Sequence, residues 1–88
     1  MDLEQHLNHL EAHRDWQGLV DAIEQAIAGT ADAITKSHLH LRLGRLQHRK
    51  FLQGVKALKH FQDAYKINPA LVDAMANARA IYLELGKL

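Results

Sequence analysis

Cysteine is absent from this chain of 88 residues. That excludes disulfides, thiolate metal ligands and a cysteine nucleophile, and it fits a reducing, cytoplasmic setting. Serine occurs once, at Ser37, and proline once, at Pro69. A single proline leaves most of the chain free to form helix, and the abundance of Ala and Leu favours it. The five glycines are scattered as turn and packing residues, with no phosphate-binding loop among them. No apolar run approaches the roughly 20 residues that span a bilayer, so no membrane role is expected. Met1 is followed by Asp2, Leu3 and Glu4 where a secretory signal would have a basic segment and an apolar stretch. No set of nucleophile, base and orienting group stands out, so neither an enzyme nor a cofactor is expected.

A net charge of +1 conceals a separation. Residues 1–35 carry seven acids against Arg14 alone, whereas residues 36–66 carry eight bases against Asp63 alone. Such asymmetry bears on partners and not on fold. A nucleic-acid partner is not expected. The acidic segment lies beside the basic one, and the spacing puts Phe61 and Tyr65 on a packing face, not on a stacking platform.

Apolar spacing divides the chain into five helices. Leu3, Leu7 and Leu10 form the stripe of a first helix over 2–13, with acids at its N-terminal end. Asp15 is placed to cap a second helix over 16–28, which carries Trp16, Leu19, Val20, Ile23, Ala26 and Ile27 and stops at Gly29. Thr30-Ala31-Asp32 is placed to cap a third helix, with Thr35 and Ser37 as competing start points. Its run His38-Leu39-His40-Leu41-Arg42-Leu43 alternates as a strand does, but Leu39, Leu43 and Leu46 keep helical spacing and β-branched residues are missing. A helix fading near Lys50 is therefore predicted. A fourth helix is read with Val55, Leu58, Phe61, Gln62 and Tyr65 on one face and Ala57 and Ala64 as small contact positions. Asn68-Pro69 is read as the cap and first turn of a fifth helix running to Leu85, with Gly86 as its stop. Apolar residues spread around much of that last helix, so more than one of its sides should be covered, by further repeats of a longer array or by a second copy.

The stretch His40-x-x-Leu43-Gly44-x-x-Gln47, then Ala57-x-x-x-Phe61-x-x-Ala64, then Pro69, resembles one tetratricopeptide repeat. His40 and Gln47 stand where that family has Trp and Tyr, and the Gly44-to-Ala57 spacing is one residue longer, which places an extra residue in the turn. Residues 1–29 resemble a degenerate repeat and residues 70–88 a half repeat or capping helix, giving about two and a half repeats in one domain. The resemblance implies an all-α fold, five antiparallel helices stacked as a short right-handed solenoid. It also implies a groove for a peptide or protein, lined by the first, third and fifth helices. By position it assigns His38, Leu41, Arg45 and His48, together with Asn77 and Ala80, to that groove. Arg42 and Arg49 flank Arg45 to make a basic spot suited to an acidic ligand.

Two other readings compete with this scaffold or adaptor function. The acidic first segment of one copy could meet the basic middle of the next, making a homo-oligomer. Alternatively, His6, His9 and His13, which share an arc of about 60° with Asp2 on the first helix, could chelate a metal. Against the metal reading, the same residues serve as the solvated flank of an amphipathic helix. His48 and His60 are read as isolated, and His38 and His40 as pointing to different sides of their helix.

Overall fold

The computed structural model describes residues 2–86, and among them it contains five helices and no strand. The helices are α1 (Leu3–Ala12), α2 (Trp16–Gly29), α3 (Ala33–Arg49), α4 (Gly54–Ile67) and α5 (Val72–Gly86). Each packs on its neighbours in sequence, most extensively α3 on α4, within overall dimensions of 42 × 27 × 17 Å.

Aspartates start the first three helices. The Asp2 carboxylate accepts from the Gln5 amide at 2.8 Å, Asp15 from Gly18 at 3.0 Å and Asp32 from Thr35 at 2.9 Å. Each satisfies an amide that the helix itself leaves unpaired. The Thr35 hydroxyl also donates to Asp32, and these bonds hold the Asp32 carboxyl below its usual pKa. Between α1 and α2 the chain reverses through Arg14 at φ 57. The Arg14 amide donates to the Glu11 carbonyl and the Asp15 amide to the Leu10 carbonyl, both at 3.0 Å. This is the bond pattern of a left-handed helix terminus, here without glycine.

Three local expectations need correction. Gly29 is the last residue of α2 and not a left-handed stop; Thr30, in extended conformation, ends the helix. Asn68-Pro69 does not open α5. The Asn68 amide closes α4 on the Ala64 carbonyl, and its own carbonyl accepts from Leu71 across a turn containing Pro69, so α5 begins three residues later. Proline's fixed φ suits the second position of a turn as well as a first helical turn, and here the turn wins. Val55 is 71% exposed and Tyr65 is exposed as well, so neither lies on the packing face, and the α4 contact line is Ala57, Phe61 and Ala64, each fully buried. Met1, Lys87 and Leu88, which belong to the first and last proposed repeats, lie outside the described residues.

The core forms two clusters with α3 between them. Leu39, Leu43 and Leu46 join Leu7, Leu19, Val20 and Ile23 on one side. Leu41 joins Ala57, Phe61, Ala64, Ala74, Ala78 and Ile81 on the other. The strand-like alternation in α3 therefore has a helical cause: a central helix buries leucines on two faces. Helices α3 and α4 run antiparallel, as three pairings along their length show. Asn68 donates to the Ser37 hydroxyl at 3.4 Å, His40 meets His60 at 3.0 Å, and the Gln53 amide reaches the Gln47 carbonyl at 2.9 Å. Leu52, at φ 52 and 83% exposed, stands at the tip of the α3–α4 turn.

Gly44 sets how close α3 and α4 come. A Cβ on Gly44 would lie 2.7 Å from Phe61 Cε1 and 2.9 Å from Cδ1, inside van der Waals contact with a ring that is fully buried. Gly44→Ala should therefore destabilise the chain. Overpacking of about 1–3 kcal/mol outweighs the roughly 1 kcal/mol gained by replacing a helical glycine. A fall in melting temperature of up to about 15 °C, followed by circular dichroism, is the expected outcome.

Candidate functional site

One face of α3 carries His38, Arg42, Arg45 and Arg49 at successive turns, as spacings of four, three and four residues require. With Leu41 these residues line a groove of about 440 Å³, whose opposite wall includes Trp16 and Leu19 from α2 and Glu11 from α1. The groove thus combines an apolar floor with a cationic rim. Lys50 completes the rim, its Nζ 4.7 Å from the Trp16 ring centroid, a distance at which a cation is attracted to the ring face. Five of the expected partner-binding residues, His38, Leu41, Arg42, Arg45 and Arg49, meet in this groove.

The other three do not line it. His48 lines a separate pocket with Leu52, Gly54, Glu84 and Leu85, and its Nε2 lies 3.2 Å from a Glu84 carboxylate oxygen. Asn77 donates to the Asp73 carbonyl of its own helix at 2.7 Å, and Ala80 is exposed on α5.

Much of the basic spot is already engaged within the chain. Arg42 donates to Glu4 at 2.9 Å, to Asn8 at 3.2 Å and to Glu11 at 3.4 Å, so one guanidinium ties α3 to three positions on α1. Arg45 lies 3.6 Å from Asp73 on α5. The acidic and basic segments of the sequence therefore meet in cis. Among the described residues, Arg49 and Lys50 have no carboxylate partner within ion-pair distance.

The histidines sort differently from the sequence reading. His9 and His13 come together on α1, with ring centroids 4.3 Å apart. His6 cannot join them in one coordination sphere, because seven residues of helix separate it from His13 by about 10 Å along the axis. Asp2 is committed to its cap. The set that does converge was not read from the sequence. His40, His60 and Asp63 place their ligand atoms within 4.8 Å of one another, and the two Nδ1 atoms are 3.0 Å apart. The signal that could have found it is hairpin geometry. Across a turn centred on Phe51 and Leu52, position 40 mirrors position 63, and His60 lies one turn from Asp63 on the same face. Burial lowers the pKa of His40, against the pull of Asp63 and with a smaller push from Lys36. Burial and then the His40 charge lower that of His60, with Asp63 opposing and Lys59 adding to the depression. Both imidazoles are therefore neutral at pH 7.

Because both Glu4 and Glu11 are mostly exposed, the Arg42 cluster should contribute modestly and in a salt-dependent way. Arg42→Ala should lower unfolding free energy by about 1 kcal/mol in low salt, with most of that difference lost near 0.5 M salt, where the Debye length is only about 4 Å. Urea melts of wild type, Arg42→Ala, Glu4→Ala and the double variant measure this. A loss that is independent of salt would show that Arg42 acts through packing.

Comparison of the chain with models of protein families, with curated proteins and with solved structures found no match in any of the three.

Proposed function

We propose that the chain is a non-catalytic helical-repeat interaction module of the tetratricopeptide type. In this reading it is a short right-handed solenoid of about two and a half repeats, and it binds an acidic segment of a protein or peptide partner in the α1–α2–α3 groove. The observation that carries the reading is the groove's division of labour. Trp16 offers partly exposed apolar surface above the buried Leu19 and Leu41, while Arg49 and Lys50 at one end are cations without a carboxylate partner among the described residues. Apolar contact supplies affinity, and unpaired charge at the rim selects and orients the ligand. Sequential packing of the five helices, with Gly44 and the Ala57–Phe61–Ala64 line at the closest contact, supports the repeat reading. Arg42 and Arg45 are better understood as intramolecular clamps than as ligand-binding groups.

That distinction determines the test. Replacing Arg42 or Arg45 would disturb the chain's own ion pairs, whereas Arg49→Glu with Lys50→Glu reverses the free rim and leaves them intact. Partners captured by the immobilised wild-type chain should be lost from this double variant, provided its helicity is unchanged. Trp16 is the single tryptophan of the chain and lines the groove, so a captured acidic peptide should also change intrinsic fluorescence on titration. Full retention of every partner by the double variant would remove the groove as the site.

The outer face of α5 favours a second reading, self-association. Val72 and Leu83 are 69% and 62% exposed, with Ala76 and Ala80 also exposed on this helix. Light scattering over a concentration series should then show a dimer that Leu83→Glu converts to monomer. A monomer at every concentration would leave that face to a different partner.

A further inference from the structure

We propose that His40, His60 and Asp63 form a binding site for a divalent transition-metal ion, bridging α3 and α4. The inference is independent of the peptide groove, which lies on another part of α3.

The geometry comes first. Two imidazole nitrogens bound to zinc at 2.0–2.1 Å stand about 3.3 Å apart in a tetrahedral site and about 2.9 Å apart at a right angle. The His40 and His60 Nδ1 atoms, at 3.0 Å, already lie within that span. Their ring centroids are 5.2 Å apart with planes inclined by 29°, and the two nitrogens come from facing helices. Asp63 follows His60 by one helical turn, and its carboxylate falls within the same 4.8 Å sphere. A small side-chain rotation would complete a three-ligand set, two imidazoles and one carboxylate.

The chemistry agrees. A metal ligand must be a neutral imidazole, and burial keeps both histidines in that form at neutral pH. Imidazole-rich sites select zinc, copper, nickel or iron over magnesium and calcium, which prefer all-oxygen sets. Without a metal, one Nδ1 donates to the other in a single neutral hydrogen bond. A bound cation would use both lone pairs and engage Asp63 as well. Three protein ligands leave a coordination position open. His40 and His60 also line a cavity of about 460 Å³ with Lys56 and Lys59, so an anionic fourth ligand would be favoured there.

The α1 histidines make a demanding internal control, because His9 and His13 are also close and are exposed to added metal. The experiment uses the untagged full chain, stripped with chelator and titrated with zinc chloride. Zinc affinity is read by calorimetry, thermal stability by circular dichroism, and ring protonation by long-range proton–nitrogen spectra of the wild-type histidines. We expect one zinc per chain, a rise in melting temperature, and coordination shifts at the Nδ1 resonances of His40 and His60. His40→Gln or His60→Gln should weaken binding by at least about tenfold, Asp63→Asn should weaken it less, and His9→Ala with His13→Ala should leave it unchanged. The spectra need no variant, so they decide the matter even if a substitution disturbs folding. Absence of binding, or zinc-induced shifts confined to His9 and His13, would overturn the proposal.

Discussion

The contact between Phe61 and Gly44 organises the molecule. A fully buried aromatic ring from α4 lies where α3 has no side chain, and this brings the two backbones together along the Ala57–Phe61–Ala64 line. Close approach of one helix pair fixes the rest. It turns Leu41 toward α4 and α5, and Leu39, Leu43 and Leu46 toward α1 and α2, so a single helix belongs to both core clusters. It also leaves a polar line on α3, and that line carries the groove. The same approach brings His40 against His60, although neither residue helps to hold the pair together through apolar packing.

The parts of this arrangement that depend on local chemistry were legible in the sequence. Asp15 and Asp32 announce helix starts because a short carboxylate reaches the amide three residues ahead of it, and both cap their helices, Asp32 in preference to the competing starts at Thr35 and Ser37. The Leu39–Leu43–Leu46 spacing identified α3 as a helix despite its alternation, and the small-residue line on α4 marked its contact face. Where two local signals compete, sequence alone decides less well. Pro69 satisfies a turn and a first helical turn equally, and only the hydrogen bonds around Asn68 separate them. Val55 has the right spacing for the packing face but stands 71% exposed in the first turn of α4.

The functional residues were less legible for a related reason. The basic segment could be counted, yet which of its charges remain free depends on where α1 and α5 dock. Arg42 and Arg45 are used internally, so the cationic edge of the groove narrows to Arg49 and Lys50. The histidines show the same limit. Helical periodicity grouped those on α1, which lie on one element, and missed His40 with His60, which are 20 residues apart and meet only through the hairpin. A periodicity argument sees one helix at a time, whereas a binding site is commonly made by two.

The anchoring of α1 has its own consequence. This helix sends a single fully buried side chain, Leu7, into the core, a contribution of about 2 kcal/mol, with Leu10 packed partly buried beside it and the Arg42 guanidinium tying it to α3. Segments with few buried contacts open locally before the molecule unfolds as a whole. The chain therefore has a preferred order of disassembly, with α1 peeling away first and α3 with α4 last. Release of α1 would carry Glu11 away from one wall of the groove and expose Leu19, so the groove can widen without any change in the helix pair that defines it.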